Sequence, residues 1–190
     1  MAGHTGNAEE ARRLLADPDP SVRAAALGAL VRLDSVTPAD TSTAAGDPSP
    51  AVRRRLCELA GELPQTDFLP LLEDSDDRVL EAACFACGEQ RAEAAVTRLA
   101  EIASSHGNHL CRESAVAALG AIGDGRGLPA VLAGLGDKAT VRRRAVIALA
   151  AFEGAEVDSA LAAALGDRDW QVRQAAEDLA GHRDTTSSEL

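Results

Sequence analysis

DPSPAVRRRLCELAG, from Asp47 to Gly61, is the phrase that decides the fold, because the chain repeats it. It is an acidic turn, a Val, an Arg and then an alanine-rich stretch running toward Gly. The other copies are DPDPSVRAAALGAL from Asp17, DSDDRVLEAACFACG from Asp74, DKATVRRRAVIALA from Asp137 and DRDWQVRQAAEDLAG from Asp167. A sixth, HGNHLCRESAVAALG from His106, has His in the Asp slot and Cys in the Val slot. The anchors Val22, Val52, Val79, Cys111, Val141 and Val172 are then 30, 27, 32, 30 and 31 residues apart. A period of this size is the mark of a stacked helix-pair array.

Four residues past each anchor stand Ala26, Leu56, Ala83, Ala115, Ala145 and Ala176. Eight past it stand Leu30, Ala60, Cys87, Leu119, Leu149 and Ala180. Positions zero, four and eight share one helical stripe, so this stripe is predicted to be buried. The ninth position holds Gly61, Gly88, Gly120 and Gly181, where a Gly eases close packing or helps to end the helix. Upstream of each acidic turn a shorter apolar stretch, such as FLPLLED or LPAVLAGLG, supplies the first helix of the pair. Only PADTSTAAG, before Asp47, is weak, and a short or frayed helix is expected there. One pair cannot bury its apolar face alone, whereas stacked pairs share a continuous core.

Composition agrees with this reading. Of 190 residues, 46% are hydrophobic but only 2% aromatic, which suits close-packed helices and not sheets. The net charge of −11 repels phosphate polymers and anionic lipid, so neither nucleic acid nor membrane is the expected partner. No apolar run is long enough to span a bilayer and no apolar leader opens the chain, so a cytoplasmic protein is expected. Lys138 is the only Lys, a usage that fits a GC-rich bacterial genome. The single domain is placed at residues 8–183, with flexible tails at 1–7 and 184–190.

The phrase Asp-x-x-Pro-x-Val-Arg-x-x-Ala-x-x-Ala-Leu-Gly resembles HEAT-like repeats of the phycobilin-lyase type, over roughly Ala8 to Gly181. The resemblance implies an all-α solenoid of about six HEAT-like helix pairs, a right-handed superhelix with the second helices lining its concave wall. It implies no single function, since such solenoids include scaffolds, lyases, glycosylases and metal oxygenases. Two departures stand out: Leu80 replaces the Arg in the third copy, and the fourth has lost its Asp. A ladder of charges along the stack is therefore expected to be interrupted in the middle.

Several constellations invite chemistry. The Asp and Arg columns suit helix capping and ion pairing between copies better than acid–base catalysis. Cys84 and Cys87, with Cys57 in the same column as Cys84, have the look of a thiol cluster, but they lie mid-helix among Ala, where Cys packs as a small apolar side chain. His106, His109 and Cys111 read as an ordinary polar turn. Trp170, preceded by Asp169, is expected to cap the open end of the core. The iron-binding relatives use His-Glu dipeptides, and this sequence has none. No cofactor, metal site or catalytic residue is assigned.

Positions two, three, six and ten past each anchor face away from the buried stripe. Two basic clusters fall there, Arg54 with Arg55 and Arg143 with Arg144, and Glu58 follows the first. Between them lie Glu81, Glu89 and Glu113 around Phe85, and Ile147 follows the second cluster. Phe85 reads either as an exposed contact or as a side chain tucked inward. These ten residues are the expected contacts of a non-catalytic scaffold that binds a protein or peptide on its concave face. A lyase or chaperone seating a chromophore is the alternative that the resemblance implies, with a DNA glycosylase behind it.

Overall fold

The acidic turn and the alanine-rich helix after it recur as the repeat demands. The computed structural model describes the backbone of residues 2–187 and the side chains of residues 7–183. Among the described residues there are eleven α-helices and no strand, and the fold is an all-α solenoid of six repeats, five of them helix pairs. The chain divides into two compact units, Met1–Ala86 and Cys87–Leu190, with the division inside the fifth helix. The expected tails fall largely outside the described side chains.

In the first unit, α1 (Ala2–Leu14) pairs with α2 (Pro20–Arg32) and α3 (Pro38–Ala45) with α4 (Pro50–Glu58). Helix α2 packs on both α1 and α4. The third pair departs from expectation: FLPLLED forms only a 3-10 turn, Leu69–Glu73, before α5 (Asp77–Glu89). This is the copy with the shortest anchor spacing, and Pro70 sits in the first turn, so there is no length for a full helix. The weak segment before Asp47 does form a short helix, and its N-terminus is held firmly. Thr37 and Asp40 close a capping box, and Arg12 of α1 bonds the same buried carboxylate.

In the second unit, α6 (Val96–Ser105) pairs with α7 (His109–Ile122), α8 (Leu128–Gly134) with α9 (Ala139–Ala148), and α10 (Ala155–Ala164) with α11 (Trp170–Ser187). The second helices pack in series, α7 against α9 and α9 against α11, and α6 and α8 pack together as a second layer. The anchor stripe is buried as predicted. Val52, Val79, Cys111, Val141 and Val172 are at most 1% exposed, and only Val22 and Ala180, in the first and last copies, are half-buried. The ninth-position glycines differ. A Cβ on Gly120 would stand 2.6 Å from that of Ala148, so this Gly lets α7 and α9 touch. A Cβ on Gly181 would find open space, and this Gly does not end α11, which runs on to Ser187.

The arginine column joins consecutive copies. Arg23 donates Nε and Nη2 to the two carboxylate oxygens of Asp47, both at 2.7 Å, and Nη1 to the carbonyl of Asp17 in its own turn at 2.8 Å. Arg53 repeats this on Asp74 and the Asp47 carbonyl, Arg112 on Asp137 and the His106 carbonyl, and Arg142 on Asp167 and the Asp137 carbonyl. Each unit holds two such rungs. The column aspartates do not cap their helices as expected, because the helices begin too far downstream. Their Oδ1 atoms instead accept turn amides, such as that of Ser49 on Asp47 at 2.8 Å and that of Asp169 on Asp167 at 2.7 Å. The caps come from a later polar residue, as in Asp19 on the Ser21 amide and Asn108 on the Leu110 amide.

Arginine hydrogen bonds hold the Asp47, Asp74 and Asp137 carboxyls below the usual range, against the cost of burial, and Arg142 pulls Asp167 down to about 2. The Arg142 side chain is 6% exposed, against 69% for Arg78 in its turn-surface pair with Asp76. Replacing Arg142 by Ala is therefore expected to cost roughly 2–4 kcal/mol in urea unfolding, since it strands a partly buried carboxylate. Arg78→Ala should cost less than about 0.5 kcal/mol. A carboxyl with a depressed folded pKa stabilises the protein fully above its unfolded value, near 4, and loses that contribution as pH falls toward the folded one. The stability gap between wild type and Asp167→Asn should thus be roughly 1–2 kcal/mol at pH 7 and close between about pH 4 and 2. A gap that does not change over that range would show that the rung does not depend on the charge.

Candidate functional site

The helical period that buries positions zero, four and eight turns positions two and six outward. The ten residues singled out in the sequence fall five on each unit. In the first, Arg54 and Arg55 converge on one acid: Arg54 Nε lies 3.0 Å from Glu58 Oε1, and Arg55 Nη1 lies 3.2 Å from Glu58 Oε2. The Arg55 guanidinium also lies over Gly28 of α2, which a Cβ would bring to 3.2 Å. Both basic groups are thus largely answered within the unit. Phe85 is 58% exposed, which settles its direction as outward, and Glu81 precedes it by one helical turn on α5.

In the second unit Glu89 is exposed near the end of α5, and Arg144 on α9 pairs with Glu113 on α7 at 3.5 Å. Arg143 and Ile147, the neighbouring positions on α9, take part in something the sequence did not single out. They form one wall of a hollow of about 410 Å³ whose other wall is α11, with Trp170, Gln174, Asp178 and His182. Trp170 is 65% exposed and Ile147 42%, so the expectation that Trp170 caps the core is not met. As the first residue of α11, it projects from the turn toward α9 and not into the stack. Ile147 also borders a second hollow of similar size between α7 and α9, lined by Gly120, Ala121 and Ala148.

The charges of the hollow between α9 and α11 are unequal. Among the described residues no carboxylate lies within ion-pair distance of Arg143. Asp178 accepts the Gln174 amide at 2.9 Å, while its backbone carbonyl lies 2.8 Å from His182 Nδ1. The hollow therefore combines an exposed indole, an aliphatic side chain, an unanswered guanidinium and side-chain amides. A bulky apolar group next to an anion would fit it. The signal in the sequence was faint: Arg143, Ile147, Gln174, Asp178 and His182 share the outward positions of two consecutive copies, but nothing ties Trp170 to them until the turn is built.

The other constellations lie in the core or in the turns. Cys57, Cys84, Cys87 and Cys111 are all buried at core positions. The His106 turn is organised around Arg112, and His106 Nδ1 accepts the Asn108 amide at 3.2 Å. The Asp169 carboxylate accepts the Gln171 amide at 2.9 Å at the start of α11.

No helix among the described residues is long and apolar enough to cross a membrane. Among solved structures, a chain of the complex of CpcE and CpcF of phycocyanin lyase from Nostoc sp. PCC7120 is similar. It has a TM-score of 0.65 and 22% identity, over 89% of this chain and 74% of that one. Human deoxyhypusine hydroxylase in complex with glycerol is 17% identical over 94% of this chain and 96% of that one, with a TM-score of 0.40. No curated protein matches this sequence. Models of HEAT repeats match residues 66–140 and 112–181, and a HEAT repeat model matches residues 11–36. With more than half of its length matched in this way, the chain belongs to the HEAT-repeat family.

Proposed function

We propose that this chain is a non-catalytic interaction module that holds a protein or peptide segment on the outward face of its second helices. The observation that carries this reading is the hollow between α9 and α11, where Trp170 and Ile147 are exposed together beside Arg143. Exposed Trp and Arg in a shallow apolar depression are the residues that contribute most at protein interfaces. Arg143 is the leading charge. Arg54, Arg55 and Arg144 contribute by exchanging Glu58 and Glu113 for a partner's acids, and Phe85 offers an apolar contact flanked by Glu81 and Glu89. The fold likeness to a chain from a two-protein complex agrees with a protein partner.

A second reading, a HEAT-type lyase or chaperone that seats a chromophore, draws on the name of that same relative and would use the same hollow. The two separate in solution. Selection from a phage-displayed random peptide library should enrich sequences that place a bulky apolar residue next to Asp or Glu. Synthetic copies of these should bind Trp170→Ala and Arg143→Ala at least about tenfold more weakly than wild type and bind Arg78→Ala normally. Peptides bound equally by all three variants would remove the reading. A saturable, shifted visible band on titration with a linear tetrapyrrole, lost in Trp170→Ala, would favour the lyase.

We further propose that residues 8–183 work as one domain, so that the two units unfold together. Trp170 is the only Trp, so its fluorescence follows the second unit, whereas far-ultraviolet circular dichroism follows all helices. The two urea transitions should coincide. A fluorescence transition displaced from the dichroism midpoint would show two separately folding units.

A further inference from the structure

The four rungs define a template that the first and last copies each complete only by half. In every rung an arginine places Nη1 on the carbonyl of its own turn, and its Nε and Nη2 on the carboxylate of the following turn. Arg173 has the first half of this arrangement, with Nη1 2.7 Å from the Asp167 carbonyl. Its Nε and Nη2 meet no acceptor among the described residues. Asp17 has the complementary half. Its Oδ1 accepts the Asp19 amide at 2.8 Å and its carbonyl accepts Arg23, as in the inner turns, but among the described residues no arginine side chain reaches its carboxylate.

The apolar neighbours of these two groups are incomplete in the same sense. Leu135, just before Asp137, is half-buried against the cluster that joins Val146 of α9 to Val172 and Ala176 of α11. Its counterpart before Asp167 is Leu165, which is 41% exposed. Val22, beside the Asp17 turn, is half-buried where the five later anchors are at most 1% exposed. One surface thus offers a guanidinium fork and a leucine. The other offers a preformed carboxylate turn and a partly uncovered valine.

We propose that the Asp17 turn of one copy docks on Arg173 and Leu165 of a second copy, so that copies of this 190-residue chain join head to tail. The contact reproduces the rung already made four times, in which nitrogen and oxygen stand 2.6 to 2.9 Å apart. It is heterologous: each junction leaves one unused Arg173 and one unused Asp17, so association continues past the dimer, whereas a two-fold contact would stop there. The net charge of −11 opposes approach at low ionic strength. At about 0.15 M salt, where the screening length is near 8 Å, the long-range repulsion is damped and the short rung persists.

Sedimentation equilibrium of the chain from about 10 μM to 1 mM in such a buffer tests this. The weight-average mass should climb with concentration and pass twice the 19.6 kDa of one copy. Arg173→Glu and Leu165→Asp should each weaken association by roughly tenfold or more. Asp17→Asn, which keeps the oxygen that accepts the turn amide, should do the same without loss of helicity. Arg78→Ala, in the turn-surface pair with Asp76, should leave association unchanged. The proposal is overturned by a chain that stays monomeric to 1 mM or by growth that ends at the dimer. It is equally overturned by association that Arg173→Glu and Asp17→Asn leave intact.

Discussion

A guanidinium gripping two turns at once is the interaction on which the rest of this structure depends. The apolar stripe of each second helix supplies the larger share of burial, but apolar contact has no direction and tolerates sliding. The arginine removes that freedom. Its planar fork accepts one carboxylate in one orientation, while its third nitrogen is tied to the carbonyl of its own turn, so each copy is set against the next in position and rotation. The carboxylate is itself held by turn amides, and the Arg142 hydrogen bonds, with the Asp169 amide behind them, account for the low pKa of Asp167. Charge, turn and stack therefore form one mechanical element.

Where the element varies, the structure varies with it. The third copy has Leu80 in place of the arginine and the fourth has His106 in place of the aspartate, and the division into two units lies between these positions. The same third copy has the shortest spacing and a 3-10 turn in place of its first helix. The second copy shows the opposite case. Its Thr- and Ser-rich first helix has low intrinsic propensity, yet a capping box and a carboxylate shared with Arg12 hold its start. Tertiary hydrogen bonds outweigh propensity there, as they readily do for a helix of two turns.

The outward face follows a different rule. Most of its charges are neutralised by neighbours within the same unit: Arg54 and Arg55 by Glu58, and Arg144 by Glu113. What distinguishes the hollow between α9 and α11 is Arg143, which no carboxylate among the described residues answers, beside two exposed apolar side chains. The carboxyls pulled to low pKa by cross-repeat arginines sit in the turns, where they build the stack. The proposed interaction surface thus lies on one set of helix positions and the framework on another.

The sequence by itself determined the helix-pair period, the buried stripe, the arginine and aspartate columns and the place where the ladder breaks. All of these follow from short-range periodicity, which a linear chain displays directly. It also put Arg143 and Ile147 on the outward face. Only the tertiary structure decided that the column aspartates hold turns and not caps, and that Phe85 points outward. It alone decided that Glu58 occupies both of its arginines and that Trp170 lines a hollow with Ile147 and does not cap the core. These outcomes depend on how one copy's turn is aimed at the next. That direction arises from packing between segments some thirty residues apart, and no local pattern of residue types encodes it.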